Sequence, residues 1–181
     1  MPRIHPITAD TAEPATRETL DAIKVKAGMI PNLHATFAHA PAVLNGYLAL
    51  ADALTKGVLT AQHREIISLT TAQANGCQYC LSAHTLLGKN AGLSEEAIHA
   101  ARRGVGLNAT DQAIAELTLH LVNERGHLTD QVVAAARTAG LNDAQIIEIV
   151  ANVALNILTN FTNNVARTQI DFPIVELASA A

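Results

Sequence analysis

Long stretches rich in alanine and leucine are broken at short intervals by glycine, proline and capping residues, a pattern that predicts helix after helix. Thr11 to Ala27 is the first predicted helix, stopped by Gly28. The Ile30-Pro31-Asn32 turn leads into a short helix ending near Ala40. Pro41 opens the next, to about Leu54, since proline fits the first helical turn without losing a needed hydrogen bond. Thr60 caps a helix that runs to Ala74, where Asn75 and Gly76 supply a stop. A new helix begins at Cys77 and ends around Ala91-Gly92. Ser94, followed by Glu95 and Glu96, is the next cap. Thr110 and Thr129 are read as two more caps, and Asn142 with Gln145 as a capping box that opens the last long helix, as far as Thr168. The count comes to about eight helices. Ala91-Gly92-Leu93-Ser94 leading to Ile98 is echoed by Ala139-Gly140-Leu141-Asn142 leading to Ile146. The echo is too short to establish a duplication, and one stop-and-start device used twice would produce it as well. No linker exceeds a turn before residues 171–181, whose small residues are expected to fray.

Composition narrows the fold class. The 181 residues are 49% hydrophobic and 15% charged, against about 25% charged in ordinary soluble domains. That length predicts one domain with one core. Aromatics are 3% of the chain and tryptophan is absent, so sheet-favouring side chains are scarce and an all-α fold is expected. A net charge of −4, with no run of five basic residues, argues against nucleic acid and anionic membranes as partners. The most hydrophobic stretch, Ile146 to Leu158, is interrupted by Glu148, Asn152 and Asn156 and is shorter than a bilayer span. The first ten residues, MPRIHPITAD, lack the pattern of a secretory leader, and a cytoplasmic location is expected. So much apolar surface with so few charges predicts burial between subunits, hence a homo-oligomer.

The chemistry concentrates in one place. Both cysteines lie in Cys77-Gln78-Tyr79-Cys80, with His84 four residues on. At 100° per residue, positions 77, 80 and 84 fall within a sector of roughly 60°, so two thiols and an imidazole share a helix face. Cys77 lies close to the N-cap and Cys80 in the first turn, where free backbone N–H groups favour a thiolate and lower the thiol pKa. Packing explains such a pair poorly. Structural zinc needs four ligands, and beyond Cys77, Cys80 and His84 the chain offers at best Glu65. A permanent disulfide is out of place in a reducing compartment, which leaves reversible redox use in front. Glu65 has Ala61, Leu69 and Ala72 on its own helix face, so its carboxylate is expected at a packing surface, within reach of His84 or a cysteine. An ion pair with Arg64 or a lysine is its alternative.

The spacing of Glu65, eleven residues, Cys77, two residues, Cys80, three residues and His84 resembles the proton-relay motif of alkylhydroperoxidase (AhpD-like) proteins of the carboxymuconolactone decarboxylase superfamily. Gly28 to Asn32, Pro41 to Leu54, Asn75 to His84 and Ala139 to Asn160 also look like segments of its peroxidase-related branch, with the relay core at about residues 41–105. The resemblance implies an AhpD-like helical fold and a peroxidase with neither metal nor other cofactor. In it Cys80 attacks the peroxide, Cys77 resolves the sulfenic acid to a disulfide, and Glu65 and His84 pass protons. It further implies a peroxide substrate, a thiol or dithiol reductant and a homo-oligomer, trimer or hexamer. Other uses on the same fold are a lactone decarboxylase and a protein disulfide oxidoreductase. Outside it stand a redox sensor and a zinc-stabilised module.

One position departs from the family. Tyr79 stands where well-studied members carry a histidine, and a phenol titrating near 10 cannot relay a proton as imidazole does. Tyr79 is therefore the fifth site residue, with slow turnover, or a relay of Glu65 and His84 through a water, as the expected result. In the last helix Asn152, Asn156, Thr159, Asn160, Asn163 and Asn164 are unusually polar among Ile, Val and Leu. Asn156 and Asn160 would line the active site or a subunit interface, or be satisfied core amides. His34, His39, His63, His99, His120 and His127 are read as ordinary surface or packing histidines.

Overall fold

The protein is described from a computed structural model covering residues 1–8 and 10–178. Among these residues nine helices occur and no strand: α1 (Pro14–Ala27), α2 (Asn32–Phe37), α3 (Pro41–Leu54), α4 (Ala61–Ala74), α5 (Gln78–Asn90), α6 (Glu95–Arg102), α7 (Ala109–Asn123), α8 (Asp130–Thr138) and α9 (Asp143–Ala166). The all-α expectation holds, with nine helices where about eight were expected.

Two helix starts differ from the sequence reading, and the short α2 ends at Phe37, before the expected end near Ala40. The first helix begins at Pro14 and not at Thr11, because proline excludes its predecessor from helical backbone while fitting the first turn itself. Thr11 instead closes a turn with Thr8, its amide donating to the Thr8 carbonyl at 3.1 Å. The cap of α7 is Asn108 and not Thr110: the Asn108 side chain accepts the Asp111 amide at 3.0 Å, leaving Thr110 inside the first turn. Thr60, Ser94, Thr129 and Asn142 cap as expected, the last in a capping box with Gln145, and the final helix ends at Ala166, two residues short of Thr168.

α4 is the central helix. Every residue from Ile66 to Ala72 is buried, and α5, α6, α7 and α9 pack around it. Leu20, Leu44, Ile67, Leu69, Leu81, Ile114, Leu117, Leu141 and Ile149 form the fully buried part of one continuous apolar cluster. α9 is long and apolar enough to cross a bilayer by length and composition, yet the side it turns inward is its asparagine row.

The echoed segments share one device. After α5, Gly92 takes a left-handed conformation, the Leu93 amide returns to the Gly88 carbonyl at 2.9 Å, and Ser94 caps α6. After α8, Gly140, Leu141 and Asn142 repeat those roles, with Leu141 returning to Ala136. The stretch expected to fray lies, as far as Ala178, across α4, α5 and α6. The Val175 amide donates to Ser82 Oγ at 3.0 Å, Arg102 donates to the Glu176 carbonyl at 2.7 Å, and Phe172 meets the Tyr79 ring edge-on. Residues 179–181 lie outside the described part.

Candidate active site

The turn between α4 and α5 sets the two sulfurs. Gly76, with a φ of +61°, closes α4: its amide returns to Gln73 and that of Cys77 to Ala72, leaving Cys77 as the N-cap of α5. The Cys77 sulfur accepts the Cys80 amide at 3.2 Å, and the two cysteines are joined by a disulfide. Both are buried, Cys77 completely and Cys80 to within 3%. In this oxidised state neither sulfur is available as a metal ligand, which must be a thiolate.

One turn further along α5, His84 faces α4. Its Nδ1 lies 2.9 Å from Oε2 of Glu65, and the two side chains are only 21% and 17% exposed. The expected packing of α4 against α5 across Asn75-Gly76 thus brings Glu65 to His84, and no ion pair with Arg64 forms. A carboxylate at that distance holds the imidazole hydrogen on Nδ1 and leaves Nε2 as the proton acceptor. The pair lines a cleft of about 200 Å³ with Tyr47, Arg64, Ser68 and Asn156. Larger hollows, of about 440 Å³ between α7 and α8 and about 670 Å³ beside Ala74 and Phe161, include neither cysteine nor this pair.

Tyr79 is occupied elsewhere. Its hydroxyl oxygen accepts the Leu33 amide at 3.2 Å and its ring packs on Phe172. Burial above all, opposed by the Leu33 hydrogen bond and reinforced by the Asp171 carboxylate, pushes the phenol well above the usual tyrosine range. It stays a neutral hydroxyl at physiological pH.

The inward row of α9 closes the site from the other side. Asn156 donates to Ser68 Oγ at 3.1 Å and to the Asn152 carbonyl at 2.9 Å. Asn75 donates to Asn160 Oδ1 at 3.0 Å, and Asn164 donates to the Asn75 carbonyl at 3.0 Å, so the turn that presents Cys77 is gripped from α9. Asn163 touches a sulfur: its Nδ2 donates to Cys80 Sγ at 3.2 Å. Asn163 was visible in the sequence only as one asparagine among five, with no sign that it meets a cysteine eighty-three residues away. Of the histidines outside the relay, His63 lies 3.6 Å from Asp111 and His120 lies 2.6 Å from Glu124, while His39 contacts the His5 carbonyl.

Known proteins share this fold. Residues 41–105 match the carboxymuconolactone decarboxylase family. No curated protein is significantly similar in sequence. Among solved structures, the alkylhydroperoxidase AhpD core of an uncharacterised peroxidase-related protein from Ralstonia eutropha superposes with a TM-score of 0.84 at 23% identity, covering 94% of this chain and 92% of that one. A peroxidase-related protein from Silicibacter gives 0.78 at 20% identity, covering 92% of each chain. The debrominase Bmp8 in complex with 2,3,4-tribromopyrrole gives 0.77 at 18% identity, covering 93% and 91%. The family match covers the helices that carry the relay residues, and the chain has an AhpD-like fold along nearly its whole length.

Proposed function

We propose that the chain is a cofactor-free two-cysteine thiol peroxidase that reduces organic hydroperoxides or hydrogen peroxide in the cytoplasm. The observation that carries this is a Cys77–Cys80 disulfide built on the same helix pair as a half-buried Glu65–His84 hydrogen bond. In the reduced enzyme His84, held by Glu65, takes the Cys80 proton. The Cys80 thiolate attacks the terminal peroxide oxygen, the O–O bond breaks, and the departing alkoxide is protonated to the alcohol. The product on sulfur is a sulfenic acid. Cys77 displaces its hydroxyl as water and forms the disulfide, which a thiol or dithiol donor reduces for the next cycle. Tyr79, a neutral phenol bound to Leu33, takes no part in proton movement and anchors the start of α5 to α2, so the relay runs on Glu65 and His84 alone.

Cys80→Ser is expected to abolish peroxide-dependent oxidation of an added dithiol, and Cys77→Ser to leave a sulfenic acid at Cys80 that dimedone traps. Undiminished turnover in Cys80→Ser would refute the assignment. The debrominase on the same fold favours one second reading, in which the dithiol reduces a substrate that is not a peroxide. Turnover with a halogenated aromatic and none with cumene hydroperoxide would select it, whereas activity surviving alkylation of both thiols would point to lactone decarboxylase chemistry. A second copy of the chain is the proposed partner for the apolar outer face of α3 and α9, where Val43, Leu50, Leu158 and Phe161 are exposed.

A further inference from the structure

Asn163 is the one side chain of α9 that reaches a sulfur, and its two ends are unequally served. Nδ2 donates to Cys80 Sγ at 3.2 Å. Oδ1 is buried and has no hydrogen-bond partner. The residue as a whole is 3% exposed. An unpaired buried carbonyl is destabilising, whereas its neighbours in the row, Asn156 and Asn160, have theirs or their amides engaged. The amide is pinned beside the sulfur through Nδ2, and the same side chain carries an unpaired acceptor.

We propose that Asn163 is a catalytic residue of the thiol cycle, its Nδ2 stabilising the Cys80 thiolate and its Oδ1 accepting the O–H of the hydroperoxide that the thiolate attacks. This rests on the peroxidase reading and deepens it. In the reduced protein the sulfur is an anion, and an N–H hydrogen bond to it is charge-assisted and stronger than to a disulfide sulfur. In the attack the terminal oxygen moves from the peroxide to sulfur with its hydrogen still attached: the S–O bond forms, the O–O bond breaks, and the alkoxide leaves with the electron pair. The hydrogen that Oδ1 accepts before transfer is the hydrogen of the sulfenic acid after it, so one acceptor serves both states without rearrangement. Cys77 has no equivalent, because its sulfur accepts only the backbone amide of Cys80. The arrangement thus distinguishes the two cysteines on grounds separate from family resemblance.

The test is made on the full chain in a Cys77→Ser background. Asn163→Ala is expected to raise the Cys80 thiol pKa, read from the ultraviolet absorbance of the thiolate, by about one unit, a roughly tenfold fall in the acid dissociation constant. It is also expected to shorten severalfold the lifetime of the Cys80 sulfenic acid, read by adding dimedone at increasing delays after peroxide. Asn163→Asp keeps an acceptor and loses the donor, so it should raise the thiol pKa while retaining the sulfenic acid lifetime. A thiol pKa within about 0.2 units of the parent in both variants, or an undiminished sulfenic acid lifetime in Asn163→Ala, overturns the proposal. If the variants fail to fold, the Asn163 side-chain amide resonances of the wild-type protein decide it. They should move when Cys77–Cys80 is reduced, and a stationary amide overturns the donor role. Absence of peroxide consumption by the wild-type protein defeats the peroxidase reading, while the thiol pKa and amide measurements still report on Asn163.

Discussion

Replacing Tyr79 by phenylalanine separates an anchor from a relay. The Leu33 amide would lose its acceptor in a buried setting, at a cost of about 1–3 kcal/mol in denaturant unfolding. Because burial raises the folded-state phenol above its unfolded value of about 10, Tyr79 stabilises the fold fully below that pH, and the contribution is lost as pH climbs beyond it. Tyr79→Phe should therefore be less stable than wild type at neutral pH and lose less stability above about pH 10. The pH profile of turnover near neutrality should keep its shape, and a profile that shifted would restore tyrosine to the relay. Glu65→Gln removes the charge facing His84 and should raise the apparent thiol pKa, lowering turnover by about 10²-fold if the pair provides the proton acceptor. Glu65, Cys77, Cys80 and His84 could be picked out in the sequence because helical spacing puts 77, 80 and 84 on one face and a carboxylate among apolar neighbours must find a partner. What Tyr79 and Asn163 touch was not legible. Their contacts, Leu33 and Cys80, lie 46 and 83 positions away and depend on how α2 and α9 are laid across α5.

Helices were read from their punctuation, and they failed where two punctuation marks compete. Asn108 and Thr110 are both good caps; Asn108 wins because Gly106, where a Cβ would collide with the Asp111 and Gln112 backbone, brings the chain hard against the helix start, and the Gln112 side chain accepts the Gly106 amide at 2.9 Å. Sequence also left the α3–α4 connection unexplained. It is fastened from α9: Glu148 accepts the Val58 amide at 2.8 Å and the Leu59 amide at 3.0 Å, and Gly57 leaves room for the carboxylate, which a Cβ would strike. Since this loop leads into the helix bearing Glu65, Glu148→Ala should cost about 1–2 kcal/mol and expose the Val58 and Leu59 amides to hydrogen exchange well before global unfolding. Unchanged exchange at those amides would show that the loop holds itself.

For the whole molecule the informative feature is that α9 is amphipathic the wrong way round for a monomer. At 100° per residue Ile147, Val150, Ala154, Leu158, Phe161 and Val165 fall within a sector of about 80°, and all six are exposed. Asn152, Asn156, Thr159, Asn160 and Asn163 occupy the opposite side, and all five are buried. An isolated globule would bury the apolar stripe and leave the amides in water. Here the amides are committed to Ser68, Asn75 and Cys80, and the stripe is left exposed. α3 continues it with exposed Val43 and Leu50, and the low charge content of the sequence has its physical outlet in this face. A second copy offers the same stripe, and an isologous pairing buries both. Sedimentation should give wild-type protein at a multiple of 19.0 kDa, and Leu158→Glu with Phe161→Glu should reduce it to that mass, with a melting temperature that no longer depends on concentration. A wild-type monomer would rule out self-association. A monomer that floats with lipid vesicles would assign the stripe to a membrane surface, while the relay on the opposite side of α9 would keep its geometry in either case.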